Sequence, residues 1–293
     1  MDKGMAVQTL RALKNRIRSS KKTQQITKTM QMVAASRLRK SEETLRKAKP
    51  YFEKMEVVLS HLLQSSEGIA HPFFQEREVK TIALVIVTSD RGLCGSYNAN
   101  VIARAEAFLK EPRTEEVKLI LIGKKGYDYF RKREWPIHDK FLGIAGKIDY
   151  EKISEITRQL VEAYLSGAVD EVNVIYSSYL SALSTKPVFR KFLNLQQGEV
   201  PEKSDFILEP DLEEIINQFL TKQIASRMYT SLLEAFTAEN SARMVAMKTA
   251  TDNANEMIDR LTLMGNKARQ AAITKEILEI VTAGEALKAG SST

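Results

Sequence analysis

Ala250-Thr-Asp-Asn-Ala-Asn-Glu-Met-Ile-Asp-Arg-Leu-Thr-Leu-Met-Gly-Asn-Lys-Ala-Arg-Gln-Ala271 is the stretch that decides the fold. Within it, Ala250, Ala254, Met257, Leu261, Met264, Ala268 and Ala271 recur in an unbroken alternation of four- and three-residue steps. An average step of 3.5 is the seam of a left-handed coiled coil, narrower than the stripe of an ordinary surface helix. No proline interrupts residues 211–293. A continuous helix over 211–287 would be about 115 Å long at 1.5 Å per residue. Such a rod exceeds the core of one small domain, so it must project from something, and it needs a partner strand.

The partner lies at the other end of the chain. Leu38, Leu45, Phe52 and Leu59 recur every seven residues, as do Ala48, Met55 and Leu62. Upstream, Ile26, Met30 and Val33 form a four-then-three pattern, and Leu10, Leu13 and Ile17 another. These two upstream clusters fall roughly 160° apart around a helix, which predicts different neighbours at different heights. Lys21 and Lys28 fall opposite the Ile26/Met30/Val33 cluster and are expected to face outward. Pro50 interrupts the pattern, and an interior proline costs about 3 kcal/mol or forces a kink. The expectation is a helix over 7–63, bent or weakened near Lys49, paired antiparallel with the C-terminal helix.

The composition bounds the class. At 43% hydrophobic and 28% charged, the 293 residues belong to a folded globular protein of one large or two modest domains. No run reaches the roughly 18 to 20 apolar residues needed to span a bilayer, so membrane attachment would come through partners. The single cysteine, Cys94, excludes an internal disulfide and suits a reducing compartment. His61, His71 and His138 have no metal-ligand spacing.

The net charge of +7 hides an asymmetry: residues 1–49 hold fourteen Lys or Arg against Asp2, Glu42 and Glu43, which is +11 and leaves −4 for the rest. Arg11, Lys14, Arg18, Lys21 and Lys28 make one basic stripe on the helix. A solvated face, an acidic protein surface and nucleic acid are the competing explanations. No aromatic interleaves with the stripe and no recognition motif accompanies it, which disfavours nucleic acid. A basic, acid-poor start also resembles a mitochondrial targeting peptide, but its pattern runs without a break into Leu45 and Leu59, so it reads as mature protein.

Between about 80 and 200 the pattern changes. Strands are expected over 81–88, 117–123 and 171–176, with an edge strand over 188–195. Helices are expected over 98–109, 126–133 and 150–165. Strands alternating with helices predict a Rossmann-like α/β layer with a mostly parallel sheet. Boundaries are marked by 68–72, Pro201 and Pro210. The expected division is an N-terminal helix, 1–68, a central α/β domain, 79–200, and a C-terminal helix, 211–287.

The loop Ser89-Asp-Arg-Gly-Leu-Cys-Gly-Ser-Tyr-Asn98 stands where a doubly wound sheet holds phosphates. It matches neither G-x-G-x-x-G nor G-x-x-x-x-G-K-[ST], and lacks the lysine that reaches phosphates. A tight turn, with Asp90 and Arg91 paired, explains it better. Cys94 has no basic partner beyond Arg91, and no nucleophile elbow or H-E-x-x-H occurs. The chain by itself reads as a non-catalytic protein with no cofactor and no metal.

Three segments resemble the γ subunits of F-type ATP synthases. They are Ile26-Thr-Lys-Thr-Met-Gln-Met-Val-Ala-Ala-Ser-Arg-Leu-Arg39, Thr88-Ser-Asp-Arg-Gly-Leu-Cys-Gly-Ser-Tyr-Asn98, and a bipartite one. The last comprises Ala242-Arg-Met-Val-Ala-Met-Lys-Thr-Ala-Thr-Asp-Asn253 and Asn266-Lys-Ala-Arg-Gln-Ala-Ala-Ile-Thr-Lys-Glu276. The resemblance implies a coiled-coil shaft entering a ring of α and β subunits, with the α/β domain meeting ε and the c-ring. It implies ATP chemistry on β and proton flow coupled to it by rotation. Only one copy is implied, peripheral on the cytoplasmic side of a bacterial inner membrane, attached through the Fo sector and binding no nucleic acid. It also implies partner contacts for Lys28, Met30, Arg243, Arg269, Gln270, Thr274, Glu276 and Glu279, the basic stripe facing acidic lever loops of β. The alternative is a basic coiled-coil module that binds nucleic acid. Two departures stand out: Gly265 where the family usually has an aromatic, and Ala283 between Thr282 and Gly284. No cysteine pair or long insertion marks the chloroplast version, which favours a bacterial origin.

Overall fold

The computed structural model describes residues 2–65, 72–73, 77–144, 149–193 and 212–290. Two compact units emerge: Met1–Met32 with Ala246–Thr293, and Val33–Val245. Two helices run through both, α1 (Asp2–Ser65) and α5 (Leu212–Gly290). Between them lie β1 (Thr81–Val87), α2 (Tyr97–Lys110), β2 (Glu116–Ile122), α3 (Lys124–Phe130), β3 (Ile137–Phe141), α4 (Tyr150–Leu165), β4 (Glu171–Ser181) and β5 (Ser184–Leu193). The fold class is mixed: an antiparallel pair of terminal helices and a Rossmann-like α/β layer.

In the larger unit the sheet order is β3-β2-β1-β4-β5. The first four strands are parallel, and β5 folds back antiparallel on β4. β1 is apolar on both faces because both are covered. Ile82, Leu84 and Ile86 join a core with Val101 and Ala105 of α2 and Phe130 of α3. Ala83, Val85 and Val87 join a core with Ile153, Ile156 and Leu160 of α4 and with Leu220, Ile224, Met228, Leu232 and Ala235 of α5. That α5 stripe steps mostly by four, which suits a helix lying on a sheet rather than a heptad seam. At the head of α4, Asp149 accepts a hydrogen bond from the Glu151 N–H at 3.1 Å, an N-cap that ends the preceding loop.

Two sheet details depart from expectation. β3 was not anticipated, because Ile137-His-Asp-Lys-Phe141 places three polar residues between two apolar ones and forms only the half-exposed outer edge. The edge strand expected over 188–195 starts earlier, at Ser184, carrying Pro187 opposite Ser177. Proline, with no N–H to donate, is tolerated on such an edge.

α1 is helical through Pro50. Within the larger unit, its shielded positions are Ala34, Leu38, Ser41, Leu45, Ala48, Phe52 and Met55, alternating steps of four and three. The side chains of Leu59 and Leu62 lie outside the described residues, as do 68–71, Pro201 and Pro210.

In the smaller unit the seam is real, but in a different phase from the one the sequence suggests. On α5 the shielded residues are Thr251, Ala254, Ile258, Leu261, Gly265, Ala268 and Ala272. Met257 and Met264, expected in the seam, are 55% and 57% exposed, and Ala271 is exposed too. On α1 the shielded set is Leu10, Leu13, Ile17, Ser20, Gln24 and Thr27. Ile26, expected inside, is 60% exposed, and Met30 is half-buried. Cross-helix bonds fix the antiparallel sense. Ser20 Oγ reaches Met257 Sδ at 3.5 Å, Gln24 Nε2 donates to Asn255 Oδ1 at 2.6 Å, and Thr251 Oγ1 donates to Thr27 Oγ1 at 2.8 Å. This phase sets hydrogen-bonding Gln24, Thr27 and Thr251 among Leu13, Ala254, Ile258 and Leu261 and leaves Met264 outside the seam.

Candidate partner-contact surface

That phase leaves α5 with far more apolar surface than its seam uses. Met257, Met264, Ile273, Ile277, Leu278, Ile280 and Val281 are all exposed large hydrophobic residues. An exposed apolar surface of this extent marks an interaction site. The polar candidates are set among it. Gln270, Thr274, Ile277 and Val281 fall on one line of the helix, and Arg269, Ile273, Glu276 and Ile280 on the neighbouring one. Arg269, Gln270, Thr274, Glu276 and Glu279 are all exposed. Thr274 Oγ1 donates back to the Gln270 carbonyl at 3.0 Å, holding its hydroxyl against its own helix.

Lys28 and Met30 are not part of this cluster. The Thr27–Thr251 bond puts them level with about residue 250 of α5, some 30 Å along the helix from Arg269 at 1.5 Å per residue. They also point about 200° apart, so Lys28 is exposed while Met30 is half-buried. The basic stripe, Arg11, Lys14, Arg18, Lys21 and Lys28, is exposed along its whole length.

Arg243 belongs to a different environment, in the larger unit. It is buried, and its guanidinium lies 2.7 Å from the Glu239 carboxylate one turn back. The same guanidinium donates to the Arg91 carbonyl at 3.2 Å and the Gly92 carbonyl at 3.4 Å. Burial pushes the Glu239 carboxyl above its ordinary range, and Arg243 pulls in the opposite direction. Tyr97, pushed up by its own burial, donates from its hydroxyl to the Ala235 carbonyl at 3.1 Å. The 89–98 loop is thus anchored on α5 at two points. Its interior is bonded as well: Ser89 N–H and Oγ and the Cys94 sulfur all meet the Asn98 amide. Asp90 accepts from the Lys124 and Gly143 N–H groups at 2.9 and 3.1 Å. At its apex Leu93 sits at φ +63°, exposed to solvent.

A phosphate cradle offers N–H groups, whereas here the loop turns two carbonyls onto a guanidinium, the arrangement for a cation. Gly123, across from it, is needed for a close approach: a Cβ there would lie 2.1 Å from the Thr88 carbonyl oxygen. Sequence reasoning missed Glu239, although a Glu four residues before an Arg was visible; its burial was not. It also missed Leu180 and Leu183, two exposed leucines at the β4–β5 hairpin tip, signalled only by their position in a short turn.

A family profile described as ATP synthase matches residues 9–287. The chain is 42% identical over 284 residues to the ATP synthase gamma chain of Pelotomaculum thermopropionicum, covering 96% of this chain and 99% of that one. It also resembles a chain in the central stalk and c-ring of the Tetrahymena thermophila mitochondrial ATP synthase, with a TM-score of 0.58 and 25% identity over 77% of this chain and 99% of the other. A chain of the Euglena gracilis mitochondrial ATP synthase shares the fold, with a TM-score of 0.67 and 19% identity over 97% and 96% of the two chains.

Proposed function

Because this chain belongs to the ATP synthase gamma-chain family, we propose that it is the central-stalk rotor subunit of a proton-translocating F1Fo ATP synthase. In this reading it couples proton flow to ATP synthesis or hydrolysis by rotating, while the catalytic sites lie on β subunits. Its partners are the ring of α and β subunits, the ε subunit and the c-ring. One copy serves each complex, peripheral on the cytoplasmic side of a bacterial inner membrane. Segments 1–68 and 211–287 form the shaft, and 79–200 the α/β body. Among the described residues, no helix is long and apolar enough to cross a membrane.

The observation that carries this reading is the second apolar face of α5, outside the seam and interleaved with Arg269, Gln270, Thr274, Glu276 and Glu279. A helix pair needing only itself would place charge there; one turning inside a sleeve of other subunits needs a surface to bear on. Lys28 and Met30 serve as contacts at a second level, where the basic stripe meets acidic segments of β. A shaft unequal around its circumference presents a different face to each of three equivalent sites and biases each toward a different affinity, a population shift by differential contact. Arg243 acts within the larger unit by holding the 89–98 loop in place for a partner.

The test is reconstitution. Full-length chain mixed with folded bacterial α and β subunits should co-elute as one copy per ring and raise ATPase activity. Arg269→Ala and Gln270→Ala should lower that activity without changing the unfolding of the free chain. Absence of assembly, or a steeply salt-dependent affinity for duplex DNA in its place, would reject the rotor assignment.

A further inference from the structure

Within the larger unit, the hairpin that joins β4 to β5 is bonded to both long helices. It turns through Ala182 and Leu183, and its register shifts between Tyr179 and Ser181, which leaves Leu180 as an extra residue on the β4 side. A bulge of this kind re-aims the side chains beside it. The Tyr179 hydroxyl donates to the Glu42 carboxylate of α1. Three residues on, the Ala182 carbonyl accepts from the Ser241 hydroxyl of α5 at 2.7 Å. Ser241 is buried, and the Tyr179 ring packs on Cys94, Tyr97 and Ala238. Burial, and then the Glu42 carboxylate, push the Tyr179 hydroxyl above its ordinary range, so it stays protonated and keeps donating at neutral pH.

Buried polar side chains at the same height of the two helices are bonded back onto their own backbones. Ser41 of α1 donates to the Leu38 carbonyl at 2.9 Å. On α5, Thr237 donates to the Leu233 carbonyl at 2.7 Å and Asn240 to the Phe236 carbonyl at 2.9 Å. The link between the helices therefore runs through the hairpin. Its α5 side is reinforced two turns back, where Glu234 accepts from the Tyr176 and Ser178 hydroxyls of β4 at 3.0 Å each. Apolar contact is non-directional and resists sliding or rolling weakly, whereas a hydrogen bond fixes both distance and angle.

We propose that the β4–β5 hairpin is a strap that locks α1 to α5, with Tyr179 and Ser241 as its positioning residues. Its purpose rests on the rotor reading: two helices that carry torque have to turn as one body, and the strap stops either from slipping past the other.

Hydrogen exchange on the free full-length chain tests the strap without any partner. Tyr179→Phe keeps the ring in its packing and removes only the donor. It should lower the protection of α1 amides over 38–46 about tenfold, the scale of one charge-assisted hydrogen bond, and leave β1 and β2 unchanged. Glu42→Gln should keep the original protection, because its amide oxygen accepts the same bond, while Glu42→Leu should match Tyr179→Phe. In the complete F1Fo complex in vesicles, Tyr179→Phe and Ser241→Ala should lower proton pumping per ATP hydrolysed at an unchanged KM for ATP. Protection unchanged in Tyr179→Phe, or lost equally from β1 and β2, would overturn the strap. Protection lost with pumping per ATP intact would overturn its role in carrying torque. Failure of the unaltered chain to assemble would reject the rotor reading alone, and exchange in the free chain would still decide the strap.

Discussion

The most consequential single residue in the larger unit is Arg243, because it satisfies a buried carboxylate and two loop carbonyls at once. Arg243→Ala is expected to destabilise the chain by about 3 to 5 kcal/mol, the cost of leaving a buried charge unpaired. The cost should depend on pH. Burial holds the Glu239 carboxyl above its ordinary range, so the folded chain binds its proton more tightly than the unfolded chain. Stability from this group therefore falls as pH rises from the ordinary carboxylate range through the folded pKa. Without Arg243 that pKa rises further. Urea unfolding should show a larger loss at pH 8 than at pH 5.5, and Glu239→Gln in the same background should remove the difference. A loss equal at both pH values would mean that Glu239 is not the group left behind. Gly265 is the residue-scale case in the smaller unit. It lies in the seam, and a Cβ there would meet nothing within 4 Å. Gly265→Ala should therefore stabilise the helix by about 0.5 to 1 kcal/mol, seen as a higher melting temperature of the free chain.

At the scale of the element, the lesson is in the phase of the α5 seam. The heptad spacing is legible in the residues, because 3.5-residue recurrence has one structural meaning. Its phase is not, because Met257 and Ile258, or Met264 and Gly265, are adjacent residues separated by only 100°, and both choices keep Ala254, Leu261 and Ala268. The decision came from the facing strand: Gln24 of α1 donates to Asn255, and Thr27 of α1 accepts from Thr251. A testable contrast follows. Met257→Gln with Met264→Gln should change the free chain's stability by no more than about 0.5 kcal/mol, as for exposed positions generally. Leu261→Ala, in the seam, should cost clearly more. The same methionine pair should weaken assembly with α and β subunits, measured by co-elution. A large stability loss from the methionine pair would restore the phase read from the sequence. α1 teaches the converse about Pro50, whose ring alone predicts a break, yet the helix runs through it.

At the scale of the whole molecule, the two units are held by different means, and their dynamics should differ. The larger unit has a sheet covered on both faces, while the smaller one has only a helix-pair seam in which Leu13, Ile258 and Leu261 alternate with small and polar residues. Local opening free energy tracks buried apolar contact. Amides of β1, β2 and β4 should therefore exchange hydrogen most slowly, and those of α1 and α5 in the smaller unit should exchange faster. Assembly with the α and β ring should protect the latter selectively; equal protection before and after assembly would argue against the sleeve contact. The α/β layer was readable because strands buried on both faces are continuous apolar runs, as in Thr81-Ile-Ala-Leu-Val-Ile-Val87. β3 was not, since a half-exposed edge strand has no such run. The fate of Arg243 was not legible either: next to Glu239 on a helix it reads as a solvated pair, and only the fold lays the 89–98 loop across it. What the sequence by itself determined, then, is the periodicity: two long helices, an alternating α/β middle and the motifs of the gamma-chain family. Only the tertiary structure decided which arc of each helix is spent internally and which is left for partners. Periodicity is a property of one strand, whereas burial is settled by what the opposing surface offers.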